Sequence, residues 1–248
     1  MESFKHTSND VGDQGTARWR QYRAGYVTGS GFSEVLAKGK AGKESKARQT
    51  YRMSLVTERI TGLPSPEIYA AALSWGKENE GPAKVAYELY MAEQGQSVFI
   101  EPAEFVQHPT IDWVGTSPDG LVGERGMVEV KCPWNTANHL MTIIRASAVL
   151  ANALMVANDE PIVAVPEEHI PQIQGNLWVL DRDWCDFISY DPRVPKHLQL
   201  YVARVYRDEA YIKNLEAEAL KFLDEIEGNI SVLILPEDNF PEAKEQEK

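Results

Sequence analysis

The sequence is poor in cysteine and contains no long apolar run. Two cysteines, Cys132 and Cys185, can form neither a disulfide framework nor a zinc cluster, so we expect a reducing, cytoplasmic location. The longest strongly apolar stretch, residues 146–157, is too short to span a bilayer, and residues 1–15 are polar and of mixed charge, unlike a secretory signal. We therefore expect neither a membrane anchor nor export.

The chain also has no internal repeat and no low-complexity linker. Its 248 residues suffice for one hydrophobic core, and six Trp, ten Tyr and seven Phe exclude disorder over most of the length. We expect one domain at residues 1–230, followed by an acidic tail at residues 231–248.

Basic residues are fewer than acidic ones, 25 against 37, which gives a formal net charge of −12. Taken over the whole chain, this net negative charge argues against a nucleic-acid partner. The charge is uneven, however, because residues 1–60 hold 11 basic and 6 acidic side chains. Glycine and serine interrupt the basic residues between Lys38 and Arg52, which predicts a mobile basic loop able to meet a polyanion.

Hydrophobic periodicity and turn residues predict alternating helices and strands. The pattern favours a mixed α/β or α+β domain with a central sheet flanked by helices. Helices are expected at residues 19–26, 28–35, 66–93 (with a break near Pro82), 135–157, 167–180 and 208–227 (ending at Gly228), and strands at residues 98–106, 113–121, 127–132, 185–190 and 198–206.

The most informative segment joins Asp119 to a strand through a short turn. Along a strand, side chains alternate between faces, so Glu129 and Lys131 share one face while Val128 and Val130 take the other. A hairpin loop at residues 123–126 would return this strand beside Asp119. Two carboxylates and one ammonium group would then meet at one end of the hairpin.

Such a cluster suits divalent-metal chemistry. Carboxylate oxygens bind Mg²⁺, which takes the rest of its ligands from water and substrate phosphate. A lysine can orient or deprotonate the attacking water. From spacing alone, a surface hairpin with a cross-strand salt bridge is the slightly favoured interpretation, because Glu-x-Lys is a common pattern.

The complete motif resembles a known nuclease class. Pro118-Asp119, nine intervening residues, and then Glu129-x-Lys131 is similar to the signature of the PD-(D/E)XK nuclease superfamily. More narrowly, the chain resembles exonucleases of the bacteriophage lambda type, the YqaJ-like viral recombinase family. The agreeing segments, in order, are residues 19–23, 28–30, 75–80, 117–120, 129–133, 172–174 and 181–190.

The resemblance implies a PD-(D/E)XK, restriction-endonuclease-like core and a set of site residues. Mg²⁺, with Mn²⁺ as a substitute, would be held by two carboxylates, a backbone carbonyl and a further candidate ligand. Lys131 would position or deprotonate water, and Gln172 would fix the nucleophile or a phosphate. The implied metal ligands are Asp119, Glu129, the Val130 carbonyl and, as the further candidate, Glu80.

The resemblance also implies a pocket for a terminal 5′ phosphate, formed by Arg23 and Ser30. Ser117 is a further phosphate-contact candidate, although it could instead cap the turn. His169 stands where the lambda-type pattern has a tyrosine, and His108 lies upstream of Asp119; no role is assigned to either.

The implied function is a Mg²⁺-dependent 5′-to-3′ exodeoxyribonuclease that digests one strand of linear duplex DNA to 5′-mononucleotides and leaves 3′ overhangs. The resemblance implies a homotrimer that works with a single-strand annealing protein in recombination, in the cytoplasm of a bacterial host and encoded by a phage or prophage. Two alternatives stay open: a structure-selective endonuclease on the same core, and a catalytically inactive DNA-end-binding scaffold.

Overall fold

The computed structural model describes residues 12, 14–40, 43–66, 70–156 and 164–234. Helices and strands come in runs along this part of the chain: mainly helices first, then five strands, two helices, two strands and a last helix. The helices are α1 (Ala17–Arg23), α2 (Phe32–Leu36), α3 (Lys46–Thr61), α4 (Ala71–Glu93), α5 (Thr136–Val156), α6 (Ile170–Leu180) and α7 (Glu209–Leu233). The strands are β1 (Val27–Thr28), β2 (Ile100–Glu101), β3 (Val106–Gln107), β4 (Val114–Thr116), β5 (Gly120–Val122), β6 (Gly126–Lys131), β7 (Trp184–Tyr190) and β8 (Leu200–Tyr206).

A mixed five-stranded sheet forms the centre, in the order β2-β5-β6-β7-β8. Strands β6 and β7 are parallel, whereas the other neighbouring pairs are antiparallel. A smaller sheet has the order β1-β4-β3. The expected mixed α/β domain with a helix-flanked central sheet is therefore confirmed.

The two faces of β6 meet different helices because its side chains alternate. Val128 and Val130 point to the face covered by α4, where they share a core cluster with Tyr87. Met127 points to the opposite face and joins a cluster with Ile173 and Leu177 of α6. Glu129 and Lys131, which share the parity of Met127, therefore face α6.

The predicted mobile basic loop is wrong for its second half, which is the start of helix α3. Ser45 caps this helix by accepting a hydrogen bond from the Arg48 backbone N–H at 3.1 Å. Arg48 is buried and, together with Arg52, ion-pairs with Glu225 of α7 at 2.5 and 2.7 Å. These arginines stabilise the contact between α3 and α7 and are not a free basic surface.

Two predicted helix limits are also wrong. α4 continues through Pro82, which costs one backbone hydrogen bond, because the stripe Asn79, Ala83 and Tyr87 remains buried on both sides of it. α7 passes Gly228 because the apolar stripe extends from Ile226 to the next turn.

Other boundaries differ in smaller ways. The strand expected at residues 113–121 is divided between the two sheets, as β4 and β5. Only β2 and the first residue of β3 fall within the strand expected at residues 98–106. Residues 67–69 and 157 of the expected helices, and residues 235–248 of the expected tail, lie outside the described residues. No helix in the described ranges is long and apolar enough to cross a membrane.

Candidate active site

The hairpin of β5 and β6 places Asp119 beside Glu129. Gly120 pairs with Val128 in the antiparallel ladder, and Gly123 in the connecting turn has a φ of 53°. One step further along this register, Asp119 lies opposite Glu129. The Asp119 Oδ2 atom accepts a hydrogen bond from the Val130 backbone N–H at 2.7 Å, which fixes the carboxylate at the strand end.

The Glu129 carboxylate is fully buried and contacted on both of its oxygens. Lys131 Nζ donates to Oε1 at 2.5 Å, and Asn176 Nδ2 lies 3.3 Å from Oε2. Lys131 Nζ also donates to Gln172 Oε1 at 3.2 Å. The two strand residues and the glutamine that the sequence selected therefore form one contact network.

Asn176 is the residue that the sequence interpretation missed. It lies one helical turn after Gln172 on α6, so both side chains reach the same face. Its Oδ1 atom accepts a hydrogen bond from the Thr116 hydroxyl of β4, which orients the amide nitrogen toward Glu129. The i, i+4 spacing of Gln172 and Asn176 is visible in the sequence, but the contact of Asn176 with Glu129 depends on the packing of α6 against the sheet.

The electrostatics of this cluster leave negative charge incompletely neutralised. Burial and the neighbouring Glu129 raise the pKa of Asp119, although Lys131 opposes the change. Burial lowers the pKa of Lys131, but Glu129 and Asp119 outweigh it, so its pKa is raised and the ammonium form is favoured. One ammonium group, in contact with the buried Glu129 and acting at a distance on the partly buried Asp119, leaves room for a further cation.

The donor atoms fit a hard divalent cation. Both carboxylates belong to one hairpin end, and the N–H and C=O of a strand residue point to the same side, so the Val130 carbonyl lies on the Asp119 side. Within the described residues no three His, Cys, Asp or Glu side chains are close enough together to hold a metal. A metal here would therefore need the carbonyl and solvent or substrate oxygens besides the carboxylates.

Glu80 is near this site but is turned toward another partner. It lies on α4 and pairs with Lys84 Nζ at 2.6 Å, with its side chain one-third exposed. It still contributes to raising the pKa of Asp119.

A cleft of about 430 Å³ adjoins Lys131. The His169 ring lines it and stacks on Phe187, with ring centroids 5.2 Å apart. Burial and the nearby Lys131 charge lower the pKa of His169 to about 4, so the ring is neutral at physiological pH. The remaining lining comes mainly from α5 and the end of β6, including Cys132, Pro133, Asn138, Met141, Thr142 and Arg145.

His108 has a structural role. Its Nδ1 accepts a hydrogen bond from the Ile111 backbone N–H at 3.1 Å, and its ring contacts Trp178 with centroids 4.8 Å apart. These contacts close the turn between β3 and β4.

Arg23 and Ser30 line a second cavity, of about 310 Å³. The Arg23 guanidinium lies 4.2 Å from the centre of the Trp19 ring and donates to Thr28 Oγ1 at 2.8 Å. Burial lowers the pKa of this arginine. Glu58 lines the same cavity and partly offsets the effect of burial, but no carboxylate of the described residues forms a salt bridge with Arg23, so the guanidinium can still bind an anion.

Ser117 connects this cavity to the carboxylates. Its Oγ atom accepts a hydrogen bond from Trp19 Nε1 at 3.0 Å, and the chain reaches Asp119 two residues later. The contact links the Arg23 cavity directly to the segment that carries the first carboxylate.

This fold, with its Asp119 and Glu129-x-Lys131 hairpin in a helix-flanked mixed sheet, defines a PD-(D/E)XK nuclease core. The sequence model of the YqaJ-like viral recombinase domain matches residues 18–183, and the chain belongs to that family. None of the curated proteins compared with the sequence matches it.

Solved structures agree with this assignment. The chain is similar to an alkaline exonuclease from Laribacter hongkongensis at 34% identity, covering 88% of this chain and 96% of that one with a TM-score of 0.68. The same exonuclease in complex with dAMP gives 35% identity, the same coverage and a TM-score of 0.69. A phage related exonuclease from Haemophilus somnus 129PT, at 16% identity, 84% and 96% coverage and a TM-score of 0.60, shares the fold.

Proposed function

We propose that this protein is a Mg²⁺-dependent exodeoxyribonuclease that digests one strand of linear duplex DNA from its 5′ end and leaves a 3′ overhang. The observation that carries the proposal is the link between two sites. The Arg23 cavity suits a terminal phosphate, and Trp19 and Ser117 tie it to the hairpin of Asp119 and Glu129. A nuclease that recognises an end needs both sites at a fixed separation.

The residues at the hairpin are proposed to have different roles in metal binding and in positioning the water. Asp119, Glu129 and the Val130 carbonyl would hold Mg²⁺, or Mn²⁺ in its place. When bound, the metal supplies Lewis acidity and neutralises charge on phosphate oxygens. Lys131, an ammonium group in the metal-free protein, would position the water, and it would accept a proton only once the bound dication favours its neutral form. Gln172, at 3.2 Å, holds the lysine side chain in place and offers its amide to the water or a phosphate. Glu80 is proposed to hold a metal-bound water after leaving Lys84.

The alternatives are less well supported. An inactive end-binding scaffold would have no reason to keep Lys131, Glu129 and Gln172 in contact. A structure-selective endonuclease would not need a cavity with a half-buried arginine that forms no salt bridge with a carboxylate among the described residues.

The biological setting is also proposed. The match to the viral recombinase domain and the similarity to an alkaline exonuclease support a phage or prophage nuclease. We further propose that the enzyme acts in the bacterial cytoplasm, prepares 3′ overhangs for a single-strand annealing protein, and assembles as a homotrimer.

The defining experiment is digestion of a linear duplex labelled separately at each 5′ end, followed over time in Mg²⁺. We expect release of labelled 5′-mononucleotide from the beginning of the reaction, no cutting of a closed circle, and no reaction in EDTA. Lys131→Ala should abolish digestion while leaving the melting temperature within a few degrees of wild type. Internal fragments before mononucleotide would identify an endonuclease, and full activity of Lys131→Ala would refute the proposed site.

The end-recognition step has a separate test. Arg23→Gln should raise KM for 5′-phosphorylated duplex by about ten- to a hundredfold, since one charge-assisted contact is worth about 1.5–3 kcal/mol. The KM for a 5′-hydroxyl end should change little. Arg125→Gln is the matched control, because Arg125 is exposed at the opposite end of the hairpin. Equal effects of Arg23→Gln on both ends would exclude a terminal-phosphate pocket.

A further inference from the structure

Trp134 is an exposed tryptophan at the exit of the catalytic strand. All six tryptophans of the chain lie among the described residues, and Trp134 is the one with more than one-third of its surface accessible, at 52%. A large indole left in water at this position is unusual, because aromatic residues bury most of their surface in a folded domain.

This indole is held in place rather than left loose. The Trp75 ring of α4 packs against it edge-to-face, with ring centroids 5.9 Å apart. Behind Trp75 lies the guanidinium of Arg193, 4.0 Å from the ring centre. Arg193 Nη2 also donates to the Pro133 carbonyl at 3.0 Å, which fixes the residue directly before Trp134.

The charge of Arg193 is already used within the protein. Its guanidinium forms two hydrogen bonds with the buried Asp191 carboxylate, at 2.9 and 2.8 Å, and its backbone N–H forms a third, at 2.9 Å. The cluster of Trp75, Trp134 and Arg193 is therefore a rigid apolar platform and not a phosphate-binding site. Its free surface is an aromatic ring.

The platform lies within reach of any strand bound at the active site. Trp134 lies three positions after Lys131, so their Cα atoms are at most about 11 Å apart. Cys132 and Pro133, between them, line the cleft beside Lys131. A phosphodiester held at Lys131 carries its bases close to this point.

We propose that Trp134 is a base-stacking residue that receives the nucleobase of a nucleotide flanking the scissile phosphate, with Trp75 and Arg193 as positioning residues. The inference rests on the proposed nuclease function. Every base has a π-face, so stacking on an indole holds a splayed nucleotide without selecting sequence. Stacking of one base on an aromatic residue corresponds to about tenfold in affinity.

The test uses full-length Lys131→Ala protein, which binds without digestion. It is titrated in Mg²⁺ into 5′-phosphorylated duplexes carrying 2-aminopurine as the first or the second nucleotide of the 5′ strand. We expect 2-aminopurine fluorescence to be quenched by stacking at one of these positions. Adding Trp134→Leu, which keeps apolar volume against Trp75 but removes the π-face, should abolish the quenching and weaken binding about tenfold. Trp134→Phe should retain most of both.

Phe99→Ala is the matched control, because Phe99 is 69% exposed and lies near the hairpin loop, at the other end of β6. Unchanged quenching and affinity in the Trp134→Leu protein would overturn the inference. A change in sedimentation mass without a change in DNA binding would also overturn it, because Trp134 would then be a contact between subunits. Digestion by the wild-type enzyme distinguishes failure of the stacking role from failure of the proposed nuclease function. If wild type digests DNA and Trp134→Leu behaves like it, the stacking role alone fails. If wild type neither binds nor digests DNA, both fail.

Discussion

The contact between Asn176 and Glu129 provides a sharp test of the buried site. Asn176→Asp changes a single NH₂ group into an oxygen of nearly the same size. Both residues are fully buried, and the nitrogen that is replaced lies 3.3 Å from Glu129 Oε2. The Thr116 hydroxyl can still donate to the other oxygen of the new carboxylate. The substitution therefore removes one donor and adds one buried negative charge.

The magnitude follows from these two changes. A hydrogen bond to a charged group contributes about 1.5–3 kcal/mol to the free energy of unfolding. Because the substitution also adds repulsion between two carboxylates, we expect this free energy to fall by at least about 2–3 kcal/mol at pH 8. For a chain of this length, that lowers the melting temperature by about 4–12 °C. Two carboxylates this close share a proton, so the folded variant binds protons more readily than the unfolded chain. The stability that Asn176→Asp loses relative to wild type should therefore be small near pH 5 and grow as the pH rises toward 8.

The assay is thermal unfolding in EDTA at pH 5, 6.5 and 8, with wild type and Asn176→Ala measured in parallel. Asn176→Ala loses the hydrogen bonds without adding charge, so its deficit should vary little over this range. Adding Mg²⁺ should restore part of the stability lost by Asn176→Asp, because a cation neutralises the added carboxylate. Equal melting temperatures for wild type and Asn176→Asp at pH 8 in EDTA would refute the contact.

Two further predictions concern neighbouring residues. In Gly29→Ala, the new Cβ would overlap Asn176 Oδ1, so the variant should lose stability and kcat much as Asn176→Ala does. If the decreases in melting temperature simply add in the variant that combines Gly29→Ala with Asn176→Ala, Gly29→Ala does not act through Asn176. His169→Phe should keep the stack on Phe187 and wild-type activity above pH 6, because His169 is neutral there. The folded pKa of about 4 lies below the unfolded value, so wild type loses stability as the pH falls from about 6.5 to 4 and His169→Phe should lose less. A limb near pH 6–7 in the wild-type rate profile that disappears in His169→Phe would contradict this assignment.

The hairpin was predictable because its determinants are local. Alternation along β6 separates Glu129 and Lys131 from Val128 and Val130, and the glycines at 123 and 126 fix the turn that returns Asp119 to the strand end. Each of these features depends on residues fewer than about a dozen positions apart, the range over which sequence pattern determines geometry.

Contacts between distant elements were not predictable in the same way. Asn176 reaches Glu129 across 47 positions, and only the packing of α6 on the sheet brings them together. Arg48 meets Glu225 across 177 positions, so its charge could not be recognised as internally paired. The residues before α3 contained the Gly and Ser pattern of a loop, but the Ser45 cap and the buried face of α3 decided the structure.

These internal ion pairs change what the net charge of −12 means. Arg48, Arg52 and Arg59 of α3 form ion pairs with Glu225 and Glu227 of α7, so three of the eleven basic side chains in residues 1–60 are paired within the protein. Under the proposed function, phosphate recognition would rely on cations that form no salt bridge within the protein, such as Arg23 among the described residues. In that function, the two carboxylates of the hairpin would repel phosphate until a divalent cation is bound. Under the same proposed function, an acidic protein with one half-buried arginine in the end-binding cavity would disfavour nonspecific binding along the duplex and leave the terminal phosphate as the main electrostatic attraction.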